Sequence, residues 1–249
     1  MKTFMHHLLG IVGILILLFL WWLATDILSP PQSFAHRFSV SQTLPTLLSL
    51  ITSSDFLLNA LISLKRILIG LLFALIIGVP VGLFVGSKKW VERATGPAFQ
   101  FLRMISPLSW MPIAVMVFGI GDNPIYFLIS FAAVWPIMLN TASGVKHLDA
   151  HWLLVAKSLA ATKYETLIHV VLPGILSHVL TGVRLAIGIA WIIIVPCEML
   201  GVSAGLGYFI LDARDRLAYP ELMATIILIG IIGYCLDLIA QYLAHKISP

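Results

Sequence analysis

The chain has 249 residues, 60% of them hydrophobic and only 10% charged, with a mean hydropathy of +1.03. Soluble domains carry about 25% charged residues, so this composition excludes an ordinary soluble protein and points to an all-α integral membrane protein. A transmembrane barrel is excluded by the long apolar runs, and nucleic-acid binding by the lack of any basic, aromatic-interleaved patch behind the net charge of +4.

About six transmembrane helices are predicted, in a single membrane domain over residues 1–249. The first covers about 8–28; it is longer than the ~7–15 residues of a signal-peptide core and is read as retained. Trp21 and Trp22 anchor one end at an interface. Residues 29–55 are mixed and proline-bearing, a loop or an interfacial segment. The second crossing is placed at about 66–87, followed by a basic loop "KKWVER" at 88–93. The third, about 96–119, carries Gln100, Arg103 and internal prolines. The fourth runs from about 124 to 142, the fifth from about 177 to 200 and the sixth from about 221 to 243.

Lysines and arginines in short loops set the orientation. With the amino terminus inside, the inner loops hold "KKWVER" and Lys146, Lys157 and Lys163, and the tail holds Lys246. The outer "GIGDNP" loop (119–124) has no basic residue. The outer 201–220 loop has Arg214 and Arg216, interleaved with Asp212 and Asp215 in a self-paired pattern. Both termini are therefore expected in the cytoplasm.

The polar stretch at about 146–173 is then cytoplasmic. Leu153, Ala156, Leu159, Ala160 and Leu167 fall near one helical face, and "TKYE" at 162–165 fits a capping box that starts a second short helix. Two short helices meeting near Ala160 and Ala161 suit either docking into a partner's groove or lying on the lipid surface.

Three ionisable groups at membrane depth stand out, since each costs about 2.5–3.5 kcal/mol on insertion scales. Arg184 is expected to snorkel or to act. Glu198 lies 14 residues further along the same helix, about 21 Å away, and needs another partner, Arg214 or Arg216, or a role in gating or substrate contact. Arg103 either marks a cytoplasmic helix end or lines a path with Ser106, Ser109 and Trp110, where a proline-broken helix faces a small anion. Asn140 bonds across helices or faces that path. Cys197 and Cys235 are expected as buried packing residues. His147, His151, His169 and His178 lack metal-ligand spacing, and no catalytic cluster is visible. There is no Gly-x-x-x-x-Gly-Lys-Ser/Thr loop; a partner must bind any ATP used.

Counted back from Pro173, "L-V-A-x-x-x-A-x(9)-V-x-L-P" (154–173) resembles the EAA loop of ABC-importer permeases. The resemblance extends through "RMISPLSWMPIAVMVFGIG" (103–121), "WPIMLNTASGV" (135–145), "GVRLAIGIAWIIIVPCEML" (182–200) and "GLGYFILDARDRLAYPELMA" (205–224), which look like the nitrate, sulfonate, taurine and bicarbonate branch. It implies the type I importer permease fold in a bacterial inner membrane, with two permease copies, two cytoplasmic ATPase subunits and an external substrate-binding protein. It also implies that ATP and Mg are bound on the ATPase partner and no cofactor by this chain. The polar loop becomes the ATPase-docking element, with Val155, Ala156, Lys157, Leu159, Ala160, Ala161, Thr162 and Tyr164 at the contact. Leu154 stands where the family often has glutamate and Ala160 where it has glycine, which implies a less flexible elbow, one that alanine fits if the backbone there stays helical. The rival reading is an ATP-independent transporter or channel whose 153–172 loop is only a membrane-surface helix.

Overall fold

The computed structural model describes residues 2–30 and 32–247, and every regular element among them is a helix. Helix α1 (Lys2–Trp22) continues through a π turn at Leu23–Ile27 and exposes its apolar side chains from Val12 onward. The chain then folds back. The Asp26 carboxylate accepts the Val40 and Ser41 N–H groups at 3.0 and 3.3 Å, an acid at the start of α2 (Val40–Ile51), where the helix dipole favours it. An indole bond from Trp21 to the Phe38 carbonyl (3.1 Å) closes this corner.

Helix α3 (Ser54–Ser87) starts 12 residues before the predicted second crossing. Its 34 residues span about 51 Å, well beyond a ~30 Å hydrocarbon core. The third predicted crossing is not straight. Helix α4 (Lys89–Met104) takes in most of the predicted "KKWVER" loop, and a 3-10 turn (Pro107–Trp110) leads into α5 (Met111–Phe118), with an 85° bend between the halves. Pro107 causes the break: it donates no N–H and drives the residue before it out of the helical region, and Ile105 and Ser106 are both extended at ψ 125° and 128°.

The remaining elements are α6 (Asp122–His147), α7 (Ala150–Ser158), α8 (Lys163–Thr166), α9 (Leu172–Glu198), α10 (Leu206–Asp215) and α11 (Tyr219–Ile247). Among the described residues four helical segments are long and apolar enough to cross a membrane. The bent pair makes a fifth, and Val12–Ile27 is a shorter apolar helix.

The core lies where α6 is held between α3 and α9, around Ile67, Ile129, Ala133, Ile137, Ala186 and Ile194. Lipid is as apolar as these side chains, so close packing rather than water exclusion holds the helices together. Small residues make that approach possible. A Cβ at Gly82 would sit 2.6 Å from the Met138 carbonyl oxygen, and one at Gly182 2.9 Å from that of Pro136. A second cluster joins α10 and α11 to the N-terminal end of α3 through Phe56, Leu206, Phe209 and Leu228.

Candidate functional site

Three constellations carry the chemistry this chain can do. In the polar stretch, Asp149 caps α7 by accepting the His151 N–H at 2.9 Å. Ala156 faces inward and is buried, while Val155, Leu159 (76% exposed) and Tyr164 (71%) point outward with Trp152. The capping box at Thr162 forms as expected: the Thr162 hydroxyl accepts the Glu165 N–H (3.2 Å), and the Glu165 carboxylate accepts the Thr162 N–H (2.7 Å). A π turn at Leu167–Val171 then feeds directly into α9.

At the elbow the backbone does not stay helical. Ala160 has φ +56°, in the left-handed region. The Ala161 N–H donates to the Ala156 carbonyl (3.0 Å) and the Ala160 N–H to that of Lys157 (3.1 Å), which is a Schellman closure with Ala160 at the position glycine usually fills. The backbone turn is thus retained although the residue type has changed, at about 1–2 kcal/mol of local strain.

The second constellation is the broken segment. Phe127, Phe131 and Trp135 follow one another at helical spacing on α6. They stack against Phe118, Trp110 and Phe99 at centroid distances of 5.5–5.8 Å, so the bent pair rides on an aromatic ladder. Ser106 and Ser109 are exposed at the break; Trp110 is half-buried and its indole N–H has no partner. Arg103 sits at the end of α4 and bonds the Gln100 side chain (2.9 Å). It lines a cavity of about 170 Å³ with Thr95, Trp135 and Lys146, and a Lys146–Glu92 ion pair ties α6 to α4 there. Asn140 donates to the Pro136 carbonyl of its own helix (2.8 Å), so it makes no cross-helix bond.

The third constellation escaped the sequence reading. Glu198 is fully buried, and its partner is Arg66 on α3 (2.8 Å), not Arg214 or Arg216. The Ser63 hydroxyl donates to the same carboxylate at 2.8 Å, and the Gly207 N–H donates to it at 2.9 Å. Arg66, with its side chain only 4% exposed, also reaches Asp122 at the start of α6 (2.6 Å) and the Ala204 carbonyl (2.7 Å). The Gly205 and Leu206 N–H groups donate to Asn59 and Ser63. Donors at the start of α10 are therefore met by side chains of α3 and α9, and a buried carboxylate stands at that helix's positive end. Gly205, at φ +113°, lets the loop pass against Glu198, where a Cβ would collide with the carboxylate.

The other charges pair locally. Arg184 does not simply snorkel: it forms a two-pronged ion pair with Asp237 on α11 (3.0 and 3.1 Å). Arg214 pairs with Asp215, and Arg216 with Asp212 and Glu221, as the interleaving implies. The bond to Glu221, reinforced by Asp212, pushes the Arg216 guanidinium above its ordinary value. Cys197 is buried as expected, but Cys235 is exposed on α11. No group of three metal-capable side chains comes together among the described residues. Arg66 was missed because it sits at the edge of the apolar run, where an arginine reads as a helix end. The signal was the unpartnered Asp122 of the outer loop.

Residues 78–249 match the family described as the binding-protein-dependent transport system inner membrane component. The nitrate import permease protein NrtB of Synechococcus elongatus is 35% identical over 201 residues, 80% of this chain and 72% of that protein. The bicarbonate transport system permease protein CmpB of the same species is 40% identical over 187 residues, 74% of this chain and 67% of its own. The taurine transport system permease protein TauC of Escherichia coli is 31% identical over 253 residues, 97% of this chain and 89% of its own. Among solved structures, the MetNI methionine ABC transporter aligns with a TM-score of 0.66 at 14% identity, over 83% of this chain and 99% of that one. A bacterial alginate ABC transporter gives 0.65 at 13% identity, over 97% and 94%. At such identities these two likenesses speak for the fold alone.

Proposed function

Since the chain belongs to the family of binding-protein-dependent transport system inner membrane components and is a permease subunit of an ABC importer, we propose that its cargo is a small anion of the nitrate, bicarbonate, taurine or alkanesulfonate type. Two copies of the chain enclose the path in a bacterial inner membrane, with both termini in the cytoplasm. Each copy seats residues 153–172 on a separate ATPase, which holds ATP and Mg, and an external binding protein delivers the cargo. The chain is not itself catalytic.

The observation that carries the coupling assignment is the elbow: an exposed apolar stripe, Val155, Leu159 and Tyr164, on a rigidly capped two-helix turn joined without a break to α9. Lys157, Ala160, Ala161 and Thr162 shape the turn, and Ala156 anchors it inward. Apolar fit then does the docking, because Leu154 supplies no carboxylate for an ion pair. On the path we place Arg103, Ser106, Ser109 and Trp110, the groups at the helix break. Glu198 we assign to holding helices together and Asn140 to bracing its own helix, since each is engaged within the protein.

Replacing Leu159 with aspartate puts a charge in a desolvated docking surface and lowers ATPase co-purification at least about tenfold. Uptake of labelled anion falls with it. Undiminished ATPase retention and uptake in Leu159→Asp would sink the coupling assignment and favour an ATP-independent transporter.

A further inference from the structure

An open groove of about 910 Å³ runs between the cytoplasmic end of α3 and the elbow. Its floor is apolar, built by Leu83 and Phe84 of α3 with Leu153 and Leu167, and Pro80 connects it to the exposed stripe of Leu72 and Ile76 on the same helix. Two of its lining residues, Lys157 and Lys163, are basic and none is acidic. A third cation, Lys88, lies with its ammonium 5.3 Å from the centre of the Phe84 ring. The nearby acids are engaged elsewhere: Asp149 caps α7, Glu165 closes the capping box and Glu92 pairs with Lys146.

We propose that this groove binds an anionic phospholipid of the cytoplasmic leaflet. An acyl chain lies along the Phe84–Ile76 side of α3, and the headgroup phosphate sits among Lys88, Lys157 and Lys163. A basic rim over an apolar track at the level where helices leave the bilayer matches both halves of such a molecule. A zwitterionic lipid satisfies only the track, and a soluble anion only the rim. The lipid bridges the fixed end of α3 to the elbow, so its occupancy stiffens the segment that meets the ATPase. The inference rests on the cytoplasmic placement of that segment.

The test uses the full permease–ATPase complex in nanodiscs of phosphatidylcholine with rising phosphatidylglycerol, followed by native mass spectrometry of retained lipid. Wild type retains phosphatidylglycerol in preference to phosphatidylcholine. The Lys88→Gln/Lys163→Gln variant loses about fivefold of that preference per lysine removed. Lys246→Gln, on the tail, retains lipid as wild type does. Equal retention of both lipids by wild type, or an unchanged preference in the double variant, overturns the site. ATPase co-purification is read on the same samples. Lost lipid preference with the ATPase still bound leaves the coupling assignment standing; a lost ATPase with lipid retained leaves the lipid site standing.

Discussion

At the scale of single residues, the Arg66–Glu198 pair governs the end of the protein opposite the elbow. Both groups are desolvated, and a buried pair is costly to break because the surviving charge keeps its desolvation penalty. Arg66→Met leaves Glu198 without a counter-ion, and we expect a loss of about 3–5 kcal/mol, read as a lower melting midpoint in detergent. Adding Glu198→Gln recovers part of it; an Arg66→Met protein as stable as wild type would contradict the pairing. Only half of this pair was legible in the sequence. Glu198 stood out inside an apolar run, but Arg66 was hidden because it opens the apolar run of α3, where an arginine reads as a helix end. Ala160 taught a similar lesson. Alanine fits most easily in a helical turn, yet the backbone closure left it in the left-handed region, as it also left Leu217 after α10. Ala160→Gly relieves the strain at some cost in unfolded-chain entropy, a net gain under about 1 kcal/mol. Ala160→Val, whose branched Cβ crowds the same φ, lowers stability and anion uptake together.

At the scale of elements, the legible features were those written in local chemistry. The capping box at Thr162, the break before Pro107 and the apolar body of α6, α9 and α11 follow from spacing and residue type. What was not legible depends on partners distant in sequence: the aromatic ladder that supports the bent pair and the Arg66–Glu198 cluster that joins α3 to α9 and α10. The seam between α3 and α6 offers a direct check. At Gly82 there is no room for a side chain against the Met138 carbonyl and Thr141. Gly82→Val forces the helices apart and costs roughly 1–3 kcal/mol, the usual range for overpacking. The same change at Gly188, where a Cβ meets nothing within 4 Å, is nearly silent within this chain. Thermal unfolding of the two variants side by side measures the difference; equal losses would mean that the seam is not tight.

At the scale of the whole molecule, the proposed import requires parts this chain does not carry. Reconstituted alone in vesicles, it passes no labelled anion; with the ATPase, the binding protein and ATP it does, and steady passage by the chain alone would mark it as a channel. The helix α9 shows why one chain can serve both faces. It continues from the π turn behind the capped elbow and ends at Glu198, a residue tied to α3, α10 and, through Arg66, α6. Its 27 residues make a shaft of about 40 Å. A tilt of only about 10° at the elbow end sweeps the far end sideways by about 7 Å over such a shaft, more than the width of a small anion. The ion cluster fastens the neighbouring helix ends to that far end, so the sweep carries them together. A small tilt at the elbow, where we propose the ATPase grips, thus becomes a doorway's width at the opposite end of α9.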